Sequence, residues 1–187
     1  MKNSRTYWPP YNSFSFCTEL SEVKFEAESK IEIIGKNSSE LTSIESIILP
    51  SSVTTIQSNA FFDCSYLSEI KFEENSKLKT IGQCAFNNTQ INKILIPKSV
   101  TAIQENAFSY CNNLSSIEFE KDSMINSLDE SFNYTILRSI CFPSRISYFE
   151  FKFVNDCDEL NSIEFLASFV LFNCANEIDK PLIISFP

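Results

Sequence analysis

The sequence predicts a mainly β solenoid of about eight rungs, each of roughly 23 residues. Three observations predict it. Ser52–Phe72, SVTTIQSNAFFDCSYLSEIKF, returns 47 residues later as Ser99–Phe119, SVTAIQENAFSYCNNLSSIEF, with 13 of 21 positions identical. An apolar element L-x-x-I-x-F recurs at half that interval, its central Ile70, Ile94, Ile117, Ile140 and Ile163 lying 24, 23, 23 and 23 residues apart. Alternate copies carry Cys three residues before the element (Cys17, Cys64, Cys111, Cys157), and the others carry Thr at or near that place (Thr42, Thr89, Thr135).

Taken in order, the expected rungs begin with two fainter copies, Leu20-Val23-Phe25 and Ile44-Ile47-Leu49. Five clear ones follow: Leu67-Ile70-Phe72, Ile91-Ile94-Ile96, Leu114-Ile117-Phe119, Leu137-Ile140-Phe142 and Leu160-Ile163-Phe165. Ile184 and Phe186 fit an eighth, with Pro181 at the place of its first apolar residue. The alternation at the end of each element suits a short strand with one buried face. Upstream of it stands I-x-x-x-A-F, as in Ile56-Ala60-Phe61, Ile81-Ala85-Phe86 and Ile103-Ala107-Phe108, whose small and large residues are expected to fill the core where the chain turns back. The Cys/Thr position is expected to be an inward rung, a small residue whose donor meets a buried carbonyl. The Thr-type copies close with Pro50, Pro97, Pro143 and Pro187. A unit of this size cannot bury such a face alone, but stacked units bury it continuously.

Composition narrows the chemistry. The chain of 187 residues has no histidine, which removes Ser-His and Cys-His dyads and every histidine-containing metal site. Its only glycines, Gly35 and Gly82, exclude a glycine-rich phosphate loop. A net charge of −9 argues against nucleic acid and against an anionic membrane surface. The start, MKNSRTYWPPYNSF, has no apolar run of secretory-signal length, and Phe165–Phe172 is too short to span a bilayer, so no membrane insertion is expected.

The run P-x-S-V-T-x-I-x-x-x-A-F-x-x-C-x-x-L-x-x-I-x-F, at Pro50–Phe72 and Pro97–Phe119, resembles the BspA-like leucine-rich repeat, and Ser76–Thr89, SKLKTIGQCAFNNT, is similar to that family's alternate form. The likeness is close over about Ser29–Phe165 and departs where Ser38-Ser39 replace Ala-Phe and where Tyr148–Val154 blurs the repeat. The resemblance implies a right-handed solenoid with a parallel concave β-sheet. It also implies a surface or secreted protein of bacteria or protozoan parasites that binds host proteins or other cells.

The expected organisation is one solenoid domain over 1–187, with 1–12, including Tyr7-Trp8-Pro9-Pro10-Tyr11, as its N-terminal cap. The chain is expected to bind a protein or glycoprotein and not to be an enzyme, with no cofactor and no metal; an intracellular scaffold is the alternative. The expected contact residues point outward from the strands: Glu22, Lys24, Glu69, Lys71, Lys93, Leu95, Glu118, Glu120 and Glu164, forming acidic rows separated by apolar rows that also include Ile48 and Cys141. Cysteines on every second rung would be about 9.6 Å apart, too far for a disulfide, so buried free thiols are expected. Asp156, Asp158 and Glu159 read as a solvated turn rather than a catalytic carboxylate pair. Sequons stand at Asn37, Asn87, Asn113 and Asn133. The C-terminal strand with no polar segment after it points either to end-to-end self-association or to further repeats in a longer parent.

Overall fold

The computed structural model describes residues 7–8, 11–128, 130–146, 148–150, 156–167, 171–173 and 183–186. Among them no helix occurs, and fifteen short strands stack in parallel. The L-x-x-I-x-F elements form β3 (Ser46–Leu49), β5 (Glu69–Phe72), β7 (Lys93–Ile96), β9 (Ser116–Phe119), β11 (Ser139–Phe142), β13 (Ser162–Phe165) and β15 (Ile183–Ser185). The register places Ile47 beside Ile70, Ile94 beside Ile117 and Ile140 beside Ile163, so equivalent residues of successive coils lie side by side. Burial along β7 alternates strictly, Lys93 and Leu95 outward, Ile94 and Ile96 inward, as a strand with one buried face requires.

The regular body is about six turns of about 23 residues, fewer than the eight rungs expected. Leu20, Val23 and Phe25 pack partly buried against the core but form no strand. Their segment reaches the next coil through a long bond, Glu45 N–H to the Ser21 carbonyl at 3.4 Å. The expected cap at 1–12 lies mostly outside the described residues, as do Pro181, Pro187 and 151–155. Within the blurred Tyr148–Val154 stretch, β12 (Tyr148–Glu150) nevertheless pairs in parallel with β14 (Leu171–Asn173).

The long-strand sheet is not one ladder. It divides into β3-β5, β7-β9 and β11-β13-β15. The breaks follow β5 and β9, whose closing Phe72 and Phe119 are only partly buried; the ladder continues past β13, whose Phe165 is fully buried. The continuous sheet is a second one that the strand pattern did not announce. It runs through two-residue strands β1 (Tyr7–Trp8), β2 (Ile33–Ile34), β4 (Thr55–Ile56), β6 (Thr80–Ile81), β8 (Ala102–Ile103) and β10 (Ser127–Leu128), in that order.

Between the two sheets the core consists of columns. Phe61, Phe86, Phe108 and Phe132 stack with centroids 5.3, 5.3 and 5.6 Å apart. Such aromatic pairs are each worth about 0.5–1.5 kcal/mol beyond the area they bury. Ser39 takes the place of Phe at the head of this column, and the buried hydroxyls of Ser38 and Ser39 have no hydrogen-bond partner. The Cys/Thr rung is a column of doublets. Thr89 Oγ1 and Cys111 Sγ both donate to the Phe86 carbonyl, at 3.0 and 3.1 Å, and lie 3.2 Å from each other. Thr42 with Cys64, and Thr135 with Cys157, repeat the arrangement on the carbonyls of Ser39 and Phe132. Cys17 breaks the series and is exposed.

The corners explain how so glycine-poor a chain turns. Much of the left-handed backbone falls to Asn and Asp, among them Asn37, Asn59, Asn106, Asp63, Asn88 and Asp156, whose short polar side chains tolerate it, although Leu41, Cys84, Tyr110 and Tyr134 adopt it as well. The prolines open turns, with Val53, Val100 and Ile146 N–H donating to the carbonyls of Pro50, Pro97 and Pro143.

Candidate partner-binding face

Two rows of side chains point outward from the long strands, because residues flanking each buried isoleucine must face the other way. One row is Ser46, Glu69, Lys93, Ser116, Ser139 and Ser162; the other is Ile48, Lys71, Leu95, Glu118, Cys141 and Glu164. Over β3, β5, β7 and β9 they line an open groove of about 650 Å³. Five of the nine expected contact residues meet there: Glu69, Lys71, Lys93, Leu95 and Glu118.

The remaining four are placed differently. Glu164 is exposed farther along the same row, beside Cys141. Glu22 and Lys24 are exposed and form an ion pair at 2.7 Å, but outside any strand. Glu120 lies past the end of β9, and its carboxylate accepts the Lys98 N–H at 2.9 Å; Glu73 does the same for Ser51. These two carboxylates clamp a turn of the preceding coil rather than presenting a face.

The electrostatics are more mixed than acidic rows. Lys71 Nζ sits 2.7 Å from Glu69 Oε1, so that coil presents a compensated pair. With both partners more than half exposed, the pair contributes little to stability. Leu95 stands out of the surface at 49% exposure and gives the groove apolar contact area between charges, while Ile48, 57% exposed on the same row, stands outside its lining. The missed groove residues are Ser46 and Ser116 on the outward row, and Glu45, Ser68 and Asn92, one step before their strands. The signal for the last three was present in the repeat, as the first variable position after its leading apolar residue.

Other candidates resolve by burial. Asp156, Asp158 and Glu159 are exposed, as a solvated turn would be. Asn87 and Asn133 are buried, and the Thr89 and Thr135 of their sequons hold core bonds, so neither asparagine is open to a glycosylating enzyme; Asn113 is exposed. Cys64, Cys111 and Cys157 are buried thiols, whereas Cys17 and Cys141 are exposed ones. Burial pushes the Cys111 thiol up to about 11, against a weaker opposing effect of the Thr89 hydrogen bonds. Burial, followed by the Glu164 carboxylate, raises Cys141 as well. Thiols held neutral in this way are poor nucleophiles. Among the described residues no group of three or more Cys, Asp and Glu side chains could hold a metal ion.

A family model for the BspA-type leucine-rich repeat region matches six copies, over residues 10–114 and 79–174. Among solved structures, the pneumococcal vaccine antigen PcpA is similar with a TM-score of 0.66 at 19% identity, over 78% of this chain and 43% of that one. A leucine-rich cell surface protein from Faecalibacterium prausnitzii A2-165 is similar with a TM-score of 0.50 at 20% identity, over 79% of this chain and 46% of that one. The matched region thus spans less than half the length of either. A search of curated proteins returns no significant match.

Proposed function

The chain belongs to the family of BspA-type leucine-rich repeat proteins, and on that premise we propose that it is a non-enzymatic, adhesin-like module of a cell surface or secreted protein. It recognises a protein or glycoprotein through the outward rows of its long strands. One observation carries the reading. The repeat holds its buried columns nearly constant while the strand face varies from coil to coil, and that varied face forms the broad open groove over β3–β9. Solenoids offer extended surfaces of this kind to partners. The names of a vaccine antigen and a cell surface protein among the similar structures support a surface location.

A second reading, an intracellular scaffold using the same face, is favoured by the exposed free thiols of Cys17 and Cys141, since oxidising compartments tend to pair or cap such groups. Antibody staining of intact against permeabilised source cells separates the two. Staining without permeabilisation is expected, and staining only after it would reject the surface role.

A further inference from the structure

A column of left-handed residues follows the corner just before each long strand: Leu41, Asp63, Asn88, Tyr110, Tyr134 and Asp156. Amides of the column donate to carbonyls one coil on, Asn88 to Ser109 and Tyr110 to Asn133, both at 3.0 Å, so the backbone conformation is fixed by the coil geometry. Asn and Asp accept that conformation at small cost, whereas a bulky ring does not. Two adjacent coils nonetheless place tyrosines there, with φ of 61° and 58°. Residues held in unfavourable backbone conformations tend to mark functional positions.

The two rings stack with centroids 4.5 Å apart and planes 10° from parallel, and they stand 46% and 42% exposed. The Tyr134 hydroxyl is hydrogen-bonded to the Asp156 carboxylate, which pushes the phenol up and keeps it neutral. On either side the column carries the shorter Asn88 and Asp156, so each ring turns one face to its partner and the other toward a shorter side chain. An aromatic face beside a carboxylate is the arrangement that attracts an organic cation: the ring quadrupole and the carboxylate act on the same charge. The overall charge of −9 favours approach of such a group.

We propose that Tyr110, Tyr134 and Asp156 form a second recognition site, distinct from the strand face, for an arginine or lysine side chain of a protein partner. The ring pair supplies the platform and Asp156 the counter-charge.

The test is fluorescence anisotropy of a labelled hexa-arginine peptide at physiological salt. The double variant Tyr110→Asn with Tyr134→Asn installs the residue that the column already uses at Asn88, so it keeps the fold; thermal unfolding confirms this. Binding is expected to weaken about tenfold in the double variant and comparably in Asp156→Asn, while Glu105→Gln, which removes an exposed carboxylate elsewhere on the surface, leaves it unchanged. Equal affinity in the double variant, or an equal loss in Glu105→Gln, overturns the site by showing diffuse attraction only. Tyrosine resonances that shift with a neutral oligosaccharide but not with the peptide overturn the cationic assignment. The strand-face variants are measured separately, so failure here is distinguishable from failure of the strand-face reading.

Discussion

Gly82 shows how tightly adjacent coils approach one another. A Cβ built on it would stand 2.7 Å from the Gln57 carbonyl carbon and the Ser58 nitrogen, and 2.8 Å from the Ile56 oxygen, all of them backbone. Gly82→Ala is therefore expected to cost about 1–3 kcal/mol, the usual range for overpacking, as read from denaturant unfolding. Cys111 gives a prediction in pH. Its folded value, about 11, lies above the 9.0 of a free thiol, so its contribution is full below pH 9 and is lost as pH rises toward 11. Wild type should lose stability across that window more steeply than Cys111→Ser, in thermal melts taken at each pH. The sequence announced the inward Cys/Thr position and its carbonyl bond. It did not announce the doublet, because the partners lie 22 residues apart and meet only when coils stack. Glu120 was misplaced for a similar reason: strand alternation continued one residue too far, past the point where the chain begins to turn.

The long strands and the phenylalanine column were legible because a stacked fold requires the same residue type at the same place in every coil. Phe86 lies between Phe61 and Phe108, fully buried. Phe86→Ala is expected to cost about 3–5 kcal/mol, measurable as a lowered unfolding midpoint. The two-residue strands were not legible: Thr55–Ile56 and Thr80–Ile81 are too short to display any alternation, yet they build the continuous sheet. The corner residues were hidden too. Scarcity of glycine reads as an absence of special loops, whereas Asn59, Asn88 and Asn106 make the left-handed turns instead. The first expected rung failed as a strand because apolar spacing fixed its packing without fixing its backbone bonds.

Across the whole molecule, the repeated residues specify the scaffold and the variable outward residues specify recognition. Glu69, Glu118 and Glu164 stand on outward rows of three long strands, exposed and away from the core, so replacing all three by Lys should leave the melting temperature within a few degrees. Their reversal changes the sign of the face while preserving the groove. The most direct measurement is binding of the labelled chain to a panel of immobilised extracellular-matrix and cell-surface proteins, comparing wild type with Glu69→Lys/Glu118→Lys/Glu164→Lys. The predicted result is saturable binding of wild type to at least one partner, weakened about tenfold or more in the triple variant, since like charges placed against a complementary partner cost several kcal/mol. Equal binding by the two proteins would contradict recognition through the strand face.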